Sequence, residues 1–320
     1  MSEITTDADW VNAESKETAI LLLEHKMAGH RLGFDELWNK LSKAEKVKNT
    51  ISEGSNTELN FFSNVVFPLA EASKNAERAT LMSILRENKS PLLEANALDS
   101  NKTDPLELAR NAELAFKASL LKDKVSFHSV LEVLVKYNLL NIPEKLRSFV
   151  AISDEKSIRS EVEKTAGAQN VEEEKEDLDN SEINAWAEAL ETNFFQIESY
   201  KEYIEDKSIF RTHQGVKGNE FERVMVIMDD DEAGGFMFSY EQYFGVMALS
   251  KSSQDKRDSG EETGLDRTRR LFYVTSTRAK SSLAHVIYTS DVNKLKANLI
   301  ERHFAQESEI EIVELEGNKM

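Results

Sequence analysis

Two short segments of this 320-residue chain hold residue types that could handle a phosphate. The first is Thr212-His213-Gln214-Gly215-Val216-Lys217-Gly218-Asn219-Glu220-Phe221. Gly215 and Gly218 let a backbone turn tightly or approach a phosphate closely. Thr212 brings a hydroxyl, Lys217 a point cation suited to phosphate, and Glu220 a carboxylate able to accept from a ribose hydroxyl. The second runs from Arg267 to Lys280 (RTRRLFYVTSTRAK), with arginines at 267, 269, 270 and 278. A helix that keeps arginine on one side and Leu271, Val274 and Ala279 on others could present a cation to an anionic ligand. Each segment also has a plain alternative. The first reads equally as a glycine-containing turn with surface charges, and the second as arginines that neutralise nearby acids.

The surrounding pattern supplies elements to position them. Thr18–Leu23 is short, continuous and apolar, the pattern of a buried strand. A polar turn at Gly29–Gly33 follows, then a helix with Phe34, Leu37, Trp38 and Leu41 on one face. From about Ser55 to Glu198 the pattern is helical. Pro68 marks where one helix must stop and another begin. Asp104-Pro105 opens a helix over 106–121, Asp104 as its cap. Ser126 caps the next, with Phe127, Val130, Leu131, Leu134 and Tyr137 on one face, and Pro143 ends it. Ser153–Lys164 is charged and helix-prone. Thr165–Asn180 is polar and strongly acidic, which reads as an exposed linker or loop. Ser181 then caps a helix through Trp186, Leu190, Phe194 and Ile197. Val224–Met228 and Leu283–Tyr288 are two further buried-type strands. Between them lie a turn of acids and glycine at Asp229–Gly235, a polar loop at Ser250–Gly264 and an arginine-rich helix over Leu265–Lys280. This alternation predicts an α/β fold with a parallel sheet. Its first strand stands apart from the others, which implies a helical insertion. The expected domains are 1–34 and 199–320 as one α/β unit, and 35–198 as a helical one with an acidic linker at 165–180.

Composition narrows the chemistry. Apolar residues are 40% and charged residues 31% of the chain, a globular balance. A net charge of −18 works against binding nucleic acid through a broadly basic surface, so such contacts must be local. With no cysteine, disulfides, thiolate metal sites and a cysteine nucleophile are excluded. The six histidines form no His-Glu-x-x-His pattern, and no metal site is expected. The acidic, polar start does not read as a signal peptide, and no apolar run reaches membrane-spanning length. A cytoplasmic protein without a membrane partner is the expectation.

Taken together, the two segments resemble a known family. THQGVKGNEF resembles helicase motif V of the UvrD/Rep/PcrA group, where a T-[LH]-x-x-x-K-G-L-E-[FW] pattern precedes a strand. RTRRLFYVTSTRAKSSL resembles motif VI of the same group, with its R-R-L-x-Y-V-x-x-T-R-A core. TAILLLEHKMAGHRLGF is similar to the segment that opens the second RecA-like domain in some members. The resemblance implies a RecA-like domain interrupted by helices, forming the C-terminal part of an ATP-dependent DNA helicase of 3′-to-5′ polarity. It implies that Arg278 reaches the γ-phosphate of ATP, that Glu220 lies near the ribose, and that Thr212 and His213 lie on a single-stranded DNA track. Gly215, Lys217 and Gly218 would shape the turn between the two ligands. Arg269 and Arg270 would be structural or phosphate-proximal, and Tyr273 a core residue.

Two departures qualify this. Asn219 stands where the family has leucine. No G-x-x-x-x-G-K-[ST] loop occurs in the sequence, nor a strand ending in paired acids ahead of the first segment. Met228-Asp229-Asp230-Asp231 reads as a loop cluster of acids. ATP with Mg²⁺ is therefore expected to be shared with a P-loop domain outside this sequence. The expected partners are single-stranded DNA and a P-loop helicase half or a nuclease. The alternatives are a non-catalytic regulatory module and a truncated relic.

Overall fold

The computed structural model describes residues 7–11, 17–93, 105–151, 170–213, 215–234 and 238–313. The chain divides into two compact units, 1–28 with 206–320, and 29–205.

Strand β1 is Thr18–Leu22, with Leu21 and Leu22 fully buried. Helix α1, His25–Leu32, follows and contains the division between the units. The polar turn expected at Gly29–Gly33 is thus mostly helix, and Gly33 alone takes a left-handed φ of 81°. Glycine suits position 29 because a Cβ there would come within 3.2 Å of the Phe34 ring.

The second unit is helical. Its first elements are α2 (Asp35–Leu41) and α3 (Glu45–Ser52). Next come α4 (Thr57–Phe61), a π-helical turn (Phe62–Val66) and α5 (Phe67–Lys74). The break expected at Pro68 does not occur. The Phe67 amide donates to the Phe62 carbonyl, five residues back, and Pro68 sits in the first turn of α5. A π-turn shifts the hydrogen-bond register, which leaves the missing proline N–H without consequence. After α6 (Arg78–Glu87) come α7 (Pro105–Leu120), α8 (Phe127–Lys136) and α9 (Glu144–Ala151). The Asp104 cap and the Ser153–Lys164 helix lie outside the described residues. Ser126 caps α8 by accepting from the Ser129 amide at 3.1 Å, and the helix ends at Lys136, well before Pro143.

The acidic stretch differs from expectation. Residues 165–169 lie outside the described residues, but Asn170–Leu190 is one helix, α10. Ser181 lies inside it rather than at its start. Glutamate is a good helix former and no glycine or proline intervenes. The helix stops at Leu190, before Phe194, and α11 begins anew at Gln196–Ile204. Edge-to-face rings of Phe62, Phe127 and Phe194, with centroids 4.9 and 5.4 Å apart, anchor this unit's core.

The first unit resumes with β2 (Phe210–Thr212), a three-residue strand too short to leave a period in the sequence. It continues through β3 (Phe221–Met228), α12 (Asp230–Ala233), α13 (Tyr240–Tyr243) and α14 (Lys251–Asp258). The last elements are α15 (Gly264–Ser276), β4 (Ala279–Ile287) and α16 (Val292–Glu301). Helices α12 and α14 occupy the places expected to be a turn and a loop. Asp229 caps the first and Ser250 the second through side-chain oxygens. The strands form one all-parallel sheet in the order β2-β1-β3-β4, the layout of a RecA-like α/β fold. Ile20 faces both Phe210 and Met225, so β1 is hydrogen-bonded to strands that lie beyond the helical unit in sequence. Among the described residues no helix is long and apolar enough to cross a membrane.

Candidate functional site

The turn after β2 is built around one hydroxyl. Thr212 Oγ1 and the Thr212 carbonyl both accept from the Gly215 amide at 3.1 Å. A Cβ on Gly215 would stand 2.9 Å from that Oγ1, so the contact admits only glycine without a shift. Val216 is fully buried and anchors the turn from below. Gly218 then takes a φ of 85°, which side-chain-bearing residues rarely adopt. Lys217, Gly218, Asn219 and Glu220 are all exposed. Glu220 faces Lys280 at 3.8 Å, at the start of β4.

His213 is fully buried. Its amide donates to the Leu22 carbonyl at 2.8 Å, and its Nε2 lies 3.2 Å from the Leu21 carbonyl oxygen. A carbonyl only accepts, so Nε2 carries the proton and Nδ1 accepts from the Tyr240 hydroxyl, also at 3.2 Å. Burial drives the ring's pKa down to about 4, against hydrogen bonds to backbone carbonyls that favour the charged form. The ring has no surface to offer a ligand.

Helix α15 carries the second segment. Thr263 caps it by accepting from the Asp266 amide at 3.3 Å, and Asp266 returns the bond to the Thr263 amide at 3.1 Å. Three of its arginines face acids of the same unit. Arg267 and Arg270 pair with Glu262, and Arg269 with Asp266 at 3.5 Å. For these three, neutralisation of nearby carboxylates describes what the side chains do. Arg278 differs. Its Nε donates to the Val274 carbonyl at 2.9 Å, one terminal nitrogen to the Asn219 carbonyl at 3.1 Å, and the other to Thr277 Oγ1 at 3.3 Å. Among the described residues all its acceptors are neutral, so its charge is not cancelled locally. Its own carbonyl accepts from the Phe221 amide at 2.9 Å.

The structure thus brings Arg278, Gly218, Lys217 and Glu220 to one place, where β3 and β4 begin. Thr212 and His213 stand near the opposite ends of the strands, since Thr212 is in register with Leu22 at the end of β1. Arg269 and Arg270 are exposed on α15. Tyr273, expected in the core, is 69% exposed. The helix turns Thr268, Leu271 and Thr275 inward, and Tyr273 falls on the outward side of that stripe.

The acids after β3 are occupied as caps. Asp229 accepts from the Glu232 amide at 2.8 Å. Asp230 accepts from the Ser239 hydroxyl and from the Tyr240 and Glu241 amides at 2.9 to 3.0 Å. Among the described residues no group of three histidine or acidic side chains could hold a metal ion. Sequence reasoning missed Tyr240, a buried polar ring that meets His213 across 27 residues. Its only sequence signal is the Ser239 cap position before a short aromatic run.

No family model matches this chain, and no solved structure matches it. Among curated proteins it is 23% identical over 315 residues to Gabija protein GajB of Bacillus cereus (strain HuB5-5). The likeness supports a helicase-related chain. The match covers 92% of this chain and 42% of that protein, so the chain spans less than half of its relative's length.

Proposed function

We propose that this chain is the C-terminal portion of an ATP-dependent DNA helicase of the UvrD type. In this reading it supplies Arg278 to a nucleotide held by a P-loop domain elsewhere, and the Thr212 turn to a single-stranded DNA track. The observation that carries it is the hydrogen bond from Arg278 to the Asn219 carbonyl. That contact joins the two motif-like segments and holds an uncancelled guanidinium beside an exposed, glycine-shaped turn.

The chemistry is hydrolysis of ATP. Water attacks the γ-phosphorus, the bond to the bridging β–γ oxygen breaks, and the electron pair leaves with ADP. Arg278 contributes a planar, permanent charge to the oxygens on which negative charge accumulates. Glu220 lies on the same exposed edge and takes the ribose hydroxyls. The residues present fit the γ-phosphate but not Mg²⁺, because Asp229 and Asp230 are committed to capping. The metal and the phosphate cradle belong to the P-loop half. On the DNA side, burial confines His213 to positioning the strand end, so contact with nucleic acid falls to Thr212 and the exposed residues that follow it.

Affinity capture of the full chain from its native cytoplasm, with ATP hydrolysis assayed on the eluate, tests this reading. A co-purifying P-loop protein with turnover stimulated by single-stranded DNA supports it. A chain that elutes alone and inert refutes it.

A further inference from the structure

The helical unit holds a groove that its described residues leave open. Helices α6 and α7 both pack on α5, and the space that these helices border measures about 500 Å³. Buried Leu69 of α5 lines it from below. Helix α6 turns Arg78, Leu81, Met82 and Leu85 toward it, the spacing of a single helix face. Helix α7 turns Ala109, Arg110, Glu113 and Phe116 toward it in the same way. Leu85 and Phe116 are buried, whereas Leu81 and Met82 are only half-buried, so apolar surface stays in contact with water along the rim. The two arginines at the rim are exposed. Among the described residues neither is paired with a carboxylate, Glu113 included. Arg78 opens α6, the end of a helix at which the backbone dipole disfavours a cation, so its charge does not serve its own helix.

We propose that this groove receives an acidic amphipathic helix of a partner protein. Shape argues for a helix. Two helices that share a third as their base form a slot for a fourth, and an apolar stripe at three- and four-residue spacing is what fills such a slot. Charge argues for acid. Carboxylates beside that stripe meet Arg78 and Arg110, and a guanidinium binds a carboxylate through two parallel hydrogen bonds. The net charge of −18 repels an acidic segment from the protein as a whole. The two arginines act at contact distance, inside the range of about 8 Å that salt leaves unscreened. The proposal does not depend on the helicase reading, since α5, α6 and α7 belong to the helical unit and Arg278 to the other.

The test uses the full chain and a dye-labelled synthetic peptide, with leucines along one helical face and glutamates on the others, followed by fluorescence anisotropy. A peptide of the same composition with its leucines scattered is the control. The first is expected to bind and the second not. Reversing both arginines, Arg78→Glu with Arg110→Glu, is expected to weaken binding by about tenfold or more, the scale of two ion pairs at an interface rim. Both side chains are exposed, so this variant keeps its fold, as circular dichroism checks. Ala109→Trp sets an indole in the groove and is expected to abolish binding; if that variant does not fold, the arginine reversal decides. Absence of binding, equal binding of the scattered peptide, or indifference to the arginine reversal overturns the proposal. Uptake of dodecanoate without binding of the peptide overturns it as well, and assigns the groove to a small amphiphile.

Discussion

The Arg278 guanidinium donates to the backbone carbonyl of Asn219, 3.1 Å away and 59 residues earlier in the chain. Because the acceptor is backbone, the identity of residue 219 does not decide the contact, and asparagine in place of leucine leaves it intact. In a reconstituted enzyme, Arg278→Ala is expected to lower ATP turnover by about a thousandfold or more, the scale of an arginine finger. Turnover measured with the P-loop partner present checks this, and a wild-type rate would remove Arg278 from the chemistry.

The turn after β2 has two glycines that are needed for different reasons. Gly218→Ala places a side chain at a φ of 85° and is expected to cost about 1 to 2 kcal/mol. Gly215→Ala is strained by contact instead, its Cβ meeting Thr212 Oγ1. Urea midpoints should then show Thr212→Ser leaving the Gly215 variant strained and Thr212→Ala relieving it.

Asp230 closes the start of α13 with three hydrogen bonds. Asp230→Ala is expected to destabilise the unit by about 1 to 2 kcal/mol, as for the loss of a helix cap. Thermal melting measures this. Divalent metal should leave the melting temperature of wild type and variant alike unchanged, since these acids serve the backbone.

Buried His213 gives stability a pH dependence with a definite sign. Its pKa is about 4 in the folded chain and 6.5 for the free group. The fold therefore holds the neutral form, and its contribution is complete above about pH 6.5. It is lost as pH falls through about 4, for a total of about 3 kcal/mol. His285 nearby is held neutral in the same way, burial lowering its pKa to about 4. Comparison of urea midpoints between neutral pH and pH 4.5 should show a smaller drop in His213→Gln than in wild type.

Lys217 is exposed in the turn between the strand end at Thr212 and the edge that carries Arg278. If it meets a DNA phosphate, Lys217→Ala weakens oligothymidylate binding similarly across sequences and reduces the salt slope by about one. An unchanged slope would place the strand elsewhere.

The sequence by itself determined the sheet, its parallel sense and the two segments that meet at its edge. Continuous apolar runs such as Thr18–Leu22 and Val224–Met228 have no stable place except a strand covered on both faces. Glycines at 215 and 218 announce a turn that no other residue would make. The cap at Ser126 was legible for the same local reason. What the sequence left open was decided by partners far along the chain. Strand β2 is three residues long and exists because β1, nearly 200 positions earlier, offers it a hydrogen-bonding edge. Pro68 fails to end its helix because the preceding turn widens to accommodate it. Tyr273 and His213 exchange the places expected of them, the aromatic outward and the titratable ring inward. Their exposure follows from the rotation of α15 and from the position of Tyr240, neither of which is written in local residue order. Whether an arginine neutralises a neighbour or stays available is likewise tertiary. Four arginines of one helical stretch look alike in sequence, and only the fold sets acids beside three of them and a backbone carbonyl beside Arg278.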